Sequence, residues 1–264
     1  MITALAGGVG AARFLSGLTQ VAEPDQITAI VNTADDETFL GLHVSPDIDS
    51  IIYTLAGASD TQQGWGLAGE TYRTIEAASR FGEPTWFRLG DLDIATHLFR
   101  TRRLREGATL TQVTSELAQA WGLSLKLLPM SEQAVRTRIT VDNDTRDVLA
   151  LQEWFVRERS QPPVAAVDFA GAASARPAVG VLEALADAET IVVCPSNPVI
   201  SIGPILAVPG ILTQLAARRE SVVAVCPIVG GAPVKGPADR LMAPLGIEVS
   251  PVGIARHYAH FCAT

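Results

Sequence analysis

Four groups of residues in this chain have the types and spacing to do chemistry. The first is Gly7-Gly8-Val9-Gly10-Ala11-Ala12-Arg13, a glycine-rich turn leading into a helical run. Glycines let the backbone approach a phosphate, and the start of a helix favours negative charge. The run is neither a Walker A loop nor a strict GxGxxG, so a tight strand–helix turn without a ligand competes with that reading. The second group is acidic: Asp35-Asp36-Glu37, then Ser45-Pro46-Asp47-Ile48-Asp49. Carboxylates at a sheet edge hold Mg²⁺ directly or through water, and Mg²⁺ neutralises charge in phosphoryl transfer. Capping of turns or helices by Asp35, Asp36, Asp47 and Asp49 is the competing explanation.

The third group is Arg88-Leu89-Gly90-Asp91-Leu92-Asp93, with His97 one turn further on. A glycine turn between Arg and Asp could bind a polar ligand, and His97 with two aspartates has the chemistry of a metal site. A single satisfied structural histidine is the blander alternative. The fourth group joins Ser196, Asn197, Ser201 and Gly203 to Gly230-Gly231-Ala232-Pro233-Val234-Lys235-Gly236-Pro237. Hydroxyl, amide and backbone donors would hold a nucleotide, and Lys235 would meet a phosphate as a point charge. A solvated lysine on a glycine turn is the alternative. The chain has only two lysines, Lys126 and Lys235, which makes a lysine in a glycine-rich loop conspicuous.

The elements that must position these groups are legible in outline. The pattern predicts a strand over 2–6, a helix over 11–21 and a second strand over 27–31, an opening that fits a nucleotide-binding α/β fold. Helices are predicted over 71–80 and 109–121, the latter with Gly122 as C-cap. A β-rich stretch with strands near 124–128 and 138–141 follows, then a helix over 146–159, a break at Gln161-Pro162-Pro163 and a strand over 164–169. Pro177 suits the first turn of a helix reaching about residue 186. Two apolar runs, Thr190-Ile191-Val192-Val193-Cys194 and Ser221-Val222-Val223-Ala224-Val225-Cys226, each end in Cys-Pro. Their likeness predicts parallel strands that deliver loops to one sheet edge. The expectation is a single α/β domain over 1–264: a Rossmann-like, mostly parallel sheet with an inserted helical and β subdomain at about 50–163.

Composition narrows the partners. The net charge is −8 with a pI near 5.0, and no basic tract occurs, which argues against nucleic acid. No stretch approaches the ~20 apolar residues of a membrane span, and the N-terminus lacks a signal-peptide pattern. Cys194, Cys226 and Cys262 show no CxxC spacing and read as small buried hydrophobes. A cytoplasmic, reduced protein with neither membrane nor nucleic-acid partner is expected.

Taken in order, AGGVGAARFLSGL, VNTADD, GLHVSPDIDSIIYTLAG, GWGLAGETY, RLGDLDIATH, LPMSEQAVRT, PSNPVISIGPILAVPGI and GGAPVKGPADRLM resemble the 2-phospho-L-lactate transferase family over nearly the whole chain. The resemblance implies transfer of a 2-phospholactyl or phosphoenolpyruvyl group from a guanosine diphosphate donor to the deazaflavin alcohol Fo, releasing GMP, in coenzyme F-420 biosynthesis. It implies Mg²⁺ as cofactor and a homodimer. By position it implies Asp49 at the metal and the Fo hydroxyl, with Asp35 and Asp36 as further metal candidates, and Arg88 at Fo. It places Gly7, Gly8, Gly10, Arg13, Ser196, Asn197, Ser201, Gly203, Gly230, Gly231 and Lys235 around the nucleotide and its phosphates. The resemblance runs through Val252 to Tyr258. Relatives then continue through an acidic strand and further helices, where this chain has Ala259 to Thr264. By that comparison its C-terminus is truncated, and a sheet edge is expected to be exposed. A non-catalytic, sugar-nucleotide-binding regulator of a related family is the second reading. A dinucleotide oxidoreductase is the third, weakened by the incomplete fingerprint.

Overall fold

Ala4 and Ala6 of strand β1 (Ile2–Ala6) bury against one layer of helices, and Leu5 between them buries against the other. That alternation follows from the two-residue period of a strand, and it sets the architecture of the computed structural model, which describes residues 1–263. β1 turns into α1 (Gly8–Leu18), and β2 (Ile27–Val31) pairs parallel with β1. A hairpin, β3 (Glu37–Phe39) and β4 (Leu42–Val44), leads to α2 (Pro46–Leu55), α3 (Arg73–Ala78), α4 (Asp91–Arg105) and α5 (Leu110–Ala120). β5 (Lys126–Pro129) then returns to pair with β2. β6 (Arg136–Val141), β7 (Val148–Ala150) and β8 (Val164–Ala170) form a separate antiparallel sheet. The chain closes with α6 (Val181–Asp187), β9 (Thr190–Val193), α7 (Gly203–Ala207), α8 (Ile211–Ala217), β10 (Val222–Ala224), the hairpin β11 (Ile228–Val229) and β12 (Ala232–Pro233), α9 (Ala238–Met242) and α10 (Pro251–Tyr258).

The central sheet is wholly parallel, in the order β10-β9-β1-β2-β5. Counting its strands along the chain, this is the 3-2-1-4-5 order of a doubly wound fold. The direction of winding reverses between β1 and β9, and a crevice opens there beyond the carboxyl ends of the strands. The expected Rossmann-like α/β fold is therefore present. α1, α2 and α5 cover one face through Leu15, Ile48, Ile51, Val113 and Leu117. α6 to α10 and the antiparallel sheet cover the other through Leu185, Ile205, Leu215, Leu241, Ile254 and Ile139. The small side chains Ala4, Ala6, Ala11 and Ala12 are all 0% exposed, so α1 lies close on the sheet.

Several local expectations changed in three dimensions. The strand near 124–128 does not belong to the insertion. Leu127 and Leu128 are both buried, one on each face, so β5 is the outer strand of the central sheet. The helix expected over 146–159 shrinks to residues 151–157. β7 pairs Val148 with Thr140 on β6, and only one wide turn, Glu153–Arg157, follows to bury Trp154. Pro177 does not open a helix. It bridges to Ser131, and α6 begins four residues later, after Gly180 in the left-handed region. β10 is an edge strand with Val223 49% exposed. Residues 259–263 fold back beneath it. Phe261 and Cys262 are buried, and the Cys262 thiol donates to the Val222 carbonyl at 3.2 Å. Among the described residues no single helix is long and apolar enough to cross a membrane.

The RLGDLD segment turns out to be a lock between two helices. Glu70 accepts the Leu92 and Asp93 amides at 2.9 and 2.8 Å, satisfying the start of α4. Asp91 accepts the Arg73 and Thr74 amides at 3.1 and 3.0 Å, satisfying the start of α3. Hydrogen bonds from Thr71 and Thr74 hold the Asp91 carboxyl down at about 2. A Cβ at Gly90 would lie 2.0 Å from Glu70 Cδ, so the lock closes only over glycine. Gly90→Ala is expected to cost roughly 1–3 kcal/mol in urea denaturation, as overpacking that displaces a cap does. An unchanged midpoint would refute the lock.

Candidate active site

Two loops meet in the crevice between β1 and β9. The Ser196 hydroxyl donates to the Gly7 carbonyl at 2.8 Å, and the Gly7 amide donates back to Ser196 Oγ at 3.3 Å. A Cβ at Gly10 would come 2.4 Å from the Pro195 carbonyl, so α1 reaches this loop only because residue 10 has no side chain. The Asn197 side chain accepts the Val199 and Ile200 amides at 2.9 and 3.3 Å and caps the wide turn Pro198–Ile202. Ser201 packs on Gly7, and Gly203 on the Phe169 ring. The side chains of Ser196 and Asn197 are thus used to knit the two loops.

The acidic residues converge beside this seam. Asp35, Asp36, Asp47 and Asp49 are exposed by only 8, 2, 7 and 4%. Asp35 and Asp36 lie in the turn after β2, and Asp47 and Asp49 in the first turn of α2, whose N-terminus favours them. Asn32 Nδ2 donates to Asp47 Oδ2 at 2.8 Å and to the Ile200 carbonyl at 3.3 Å, tying the acidic helix to the loop after β9. Asp47 also lies against Gly7 and Gly8. Thr137 donates to Asp35 at 3.2 Å. Asp36 Oδ2 accepts from Ser45 Oγ at 2.8 Å and lies 2.9 Å from His43 Nε2. Asp36 Oδ1 and Thr33 Oγ1 are buried with no hydrogen-bond partner among the described residues.

Burial, then repulsion from Asp47, pushes the Asp35 carboxyl well above the usual carboxylate range. Burial raises Asp47 to about 7 against the opposing Asn32 hydrogen bond, with Asp36 and Asp49 adding to the rise. Such a set of carboxylates costs free energy unless protons or a cation neutralise it. All the ligand atoms on offer are oxygen, and two buried ones, Asp36 Oδ1 and Thr33 Oγ1, are unclaimed. That chemistry fits a hard divalent cation such as Mg²⁺.

Asp49 faces the other way. Two residues along a helix turn a side chain by about 200°, so Asp47 looks toward the glycine loop and Asp49 toward α4. There the Arg100 guanidinium grips both Asp49 oxygens, with Nη1 3.1 Å from Oδ2 and Nη2 bonded to Oδ1. His97 Nδ1 lies 3.7 Å from Asp49 Oδ2, and its Nε2 lies 3.2 Å from Asp93 Oδ2. Tyr53 donates to Asp93 Oδ1 at 2.6 Å. Burial pushes the Asp49 carboxyl up, opposed by Arg100 and His97. Burial alone would lower the Arg100 guanidinium, and the Asp49 carboxylate outweighs it. Ligand atoms of Asp49, Asp93 and His97 lie within 4.8 Å of one another, as in a metal trio. The guanidinium inside that trio already supplies the positive charge a metal would bring.

Two exposed cations, Arg13 and Lys235, approach one another near the start of α1. Lys235 Nζ donates to the Gly64 carbonyl at 2.8 Å, and burial followed by repulsion from Arg13 lowers its pKa. Lys235, Arg13 and the 57–72 loop, distant in sequence, therefore meet near the glycine loop. Gly230 and Gly231 both have positive φ and form the two-residue turn of the β11–β12 hairpin, which explains them locally. Arg88 is exposed and lies 3.8 Å over the Tyr72 ring. The expected residues thus divide. Gly7, Gly8, Gly10, Ser196, Asn197 and Ser201 pack together with Asp47. Asp35 and Asp36 join them, Arg13 and Lys235 flank them, and Asp49 backs onto α4. Sequence reasoning missed Asn32, His43 and Arg100, and for Asp47 it left a metal role and a cap both open. The signal was present on α4: Asp93, His97 and Arg100 are spaced i, i+4, i+7, one helical face carrying charge where apolar residues would ordinarily be buried.

The model of the 2-phospho-L-lactate transferase CofD family matches residues 2–259. The phosphoenolpyruvate transferase of Streptomyces coelicolor is 46% identical over 259 residues, covering 97% of this chain and 81% of that one. Those of Thermobifida fusca and Mycobacterium bovis are 45% and 41% identical, covering 97% and 100% of this chain and 82% and 85% of theirs. Two solved structures from Bacillus halodurans share the fold. One, titled a member of the UPF0052 family, gives a TM-score of 0.55 at 20% identity over 81% of this chain and 64% of that one. The other gives 0.61 at 19% identity over 96% and 77%.

The carboxylate cluster makes stability depend on pH in a definite direction. The folded pKa of Asp47, about 7, exceeds the unfolded value of about 4. Its stabilising contribution is therefore complete at low pH and is lost as pH rises through about 7. Without divalent cations the melting temperature should fall between pH 5 and 8, and Asp47→Asn should melt above wild type at pH 8. Each kcal/mol corresponds to about 2–4 °C at this size. Mg²⁺ should restore the wild-type melting temperature at pH 8 more than at pH 5, because it competes with protons. A melting temperature that does not respond to pH in wild type would count against the cluster.

Proposed function

This chain belongs to the 2-phospho-L-lactate transferase family, transferases of coenzyme F-420 biosynthesis, and from that premise we propose that it moves a phosphoenolpyruvyl group from a guanosine diphosphate donor to Fo. The names of the relatives favour the enolpyruvyl over the lactyl donor. The observation that carries the reading is the meeting, at one switch point, of the glycine loop, the loop after β9, four buried carboxylates and the Arg13–Lys235 pair.

In this reading the diphosphate lies at the N-terminus of α1 beside the 196–203 loop, with Arg13 and Lys235 meeting its charge. Asp35 and Asp36 would hold Mg²⁺, which when bound supplies neutralisation of the phosphoryl oxygens, while Asp49 stays in the grip of Arg100 beside them. Asp47 backs that cluster from the glycine loop. Arg88 and Asp49 orient Fo. The terminal hydroxyl of Fo attacks the phosphorus that bears the enolpyruvyl group. A new P–O bond forms, the bridging P–O bond to GMP breaks, and the hydroxyl proton passes to the carboxylate cluster at Asp49. Alignment and charge neutralisation carry such a step without a covalent intermediate.

Product mass spectrometry with Mg²⁺, Fo and either the enolpyruvyl or the lactyl donor tests the assignment. GMP and the phosphoenolpyruvyl ester of Fo are expected. Nucleotide binding without GMP release would instead make the protein a regulator. Asp49→Asn should leave the fold intact and lower turnover by about 100-fold or more. Lys235→Ala should raise the donor KM by roughly 10-fold while changing kcat less, as loss of a ground-state phosphate contact does.

A further inference from the structure

Arg100 is 0% exposed, and its surroundings are more specific than a buried ion pair needs. Its fork holds both oxygens of Asp49. Its Nη1 also lies 3.4 Å from the His43 carbonyl and 3.2 Å from His97 Nδ1. The next residue, Thr101, accepts the His43 amide at 2.8 Å. Two consecutive residues of α4 therefore grip the backbone of one residue, His43, at its N–H and its carbonyl. The ring of the same His43 reaches Asp36, 2.9 Å away. α4 thus sets the position of Asp49 directly and that of Asp36 through His43, although the two carboxylates come from different loops.

We infer that Arg100 is a positioning residue for the phosphoryl-transfer site, fixing the Asp49 carboxylate and, through His43, Asp36 in register for a divalent cation and the acceptor hydroxyl. The inference rests on the transferase reading above. A carboxylate offers about four lone-pair directions, and a guanidinium fork takes two, which stops rotation and leaves the others for a ligand. Lysine would keep the charge but lose the fork, so the two substitutions separate neutralisation from orientation. A pair that served stability alone could be replaced without touching the cation's affinity.

Arg100→Lys and Arg100→Gln test this beside wild type, with three readouts: the Mg²⁺ midpoint of the thermal shift, the donor KM, and kcat. Outer partners of metal-binding carboxylates are typically worth about 10–100-fold. The Mg²⁺ midpoint is therefore expected to rise about 10-fold or more in both variants. kcat should fall further in Gln than in Lys, and donor KM should stay within roughly 3-fold. Folded variants with a wild-type Mg²⁺ midpoint and kcat would overturn the inference, as would losses that only track the folded fraction. If neither variant folds, the guanidinium ¹⁵N resonances of Arg100 in wild type decide it. They must shift with Mg²⁺ at the thermal-shift midpoint, and resonances that do not move overturn the proposal. GMP release by wild type in the same assay checks the transferase reading separately, because the Mg²⁺ midpoint does not depend on turnover.

Discussion

Four carboxylates, Asp35, Asp36, Asp47 and Asp49, are taken out of water at the carboxyl end of a parallel sheet, and much of the surrounding structure answers that burden. Ionised carboxyls in a poorly solvated interior repel one another and lose hydration. The chain offsets the cost in separate ways. Arg100 neutralises Asp49, Asn32 and the glycine loop support Asp47, Ser45 and His43 meet Asp36, and Thr137 meets Asp35. What remains uncompensated, the free oxygen of Asp36 and the raised carboxyls of Asp35 and Asp47, defines a place where positive charge is wanted.

The sheet topology supplies the geometry for that place. Because winding reverses between β1 and β9, their loops leave on opposite sides and a gap opens between them. The gap is closed at its base by contacts that tolerate no extra atoms, with Gly10 under the Pro195 carbonyl and Gly7 under Ser201. Close approach there commits the Gly7 amide to Ser196 and the Gly8 amide to Asp47. A cluster that wants a cation lies beside this seam, and Arg13 and Lys235 bring positive charge together from distant parts of the chain.

α4 links this end of the sheet to the more exposed insertion. Its start is pinned by Glu70, in exchange for the Asp91 cap on α3, and its buried face presents Asp93, His97 and Arg100 to α2. A helix held at its N-terminus and clamped at its middle behaves as one rigid strut. The RLGDLD segment, which in isolation looks like a ligand-binding turn, is better explained as the anchor of that strut. Arg88 beside it stays at the surface over Tyr72.

The sequence by itself determined the family, the parallel sheet and its two signature loops. Each of these is a local pattern: apolar runs, glycines at strand ends, and motifs in a fixed order. It also placed Asp35, Asp36, Lys235 and the 195–203 segment near one another by inference. It misassigned β5, because Leu127 and Leu128 read the same whether a short apolar run joins the central sheet or an insertion. It also took 146–159 for a helix, where pairing of Val148 with Thr140 overrode local propensity. Only the tertiary structure decided that Asp47 and Asp49, two residues apart, serve opposite sides of α2, and that Arg100, fifty-one residues downstream, closes on Asp49. No local pattern encodes a contact at that separation. The pairing depends on where two helices lie against each other, and that is set by the packing of the whole core.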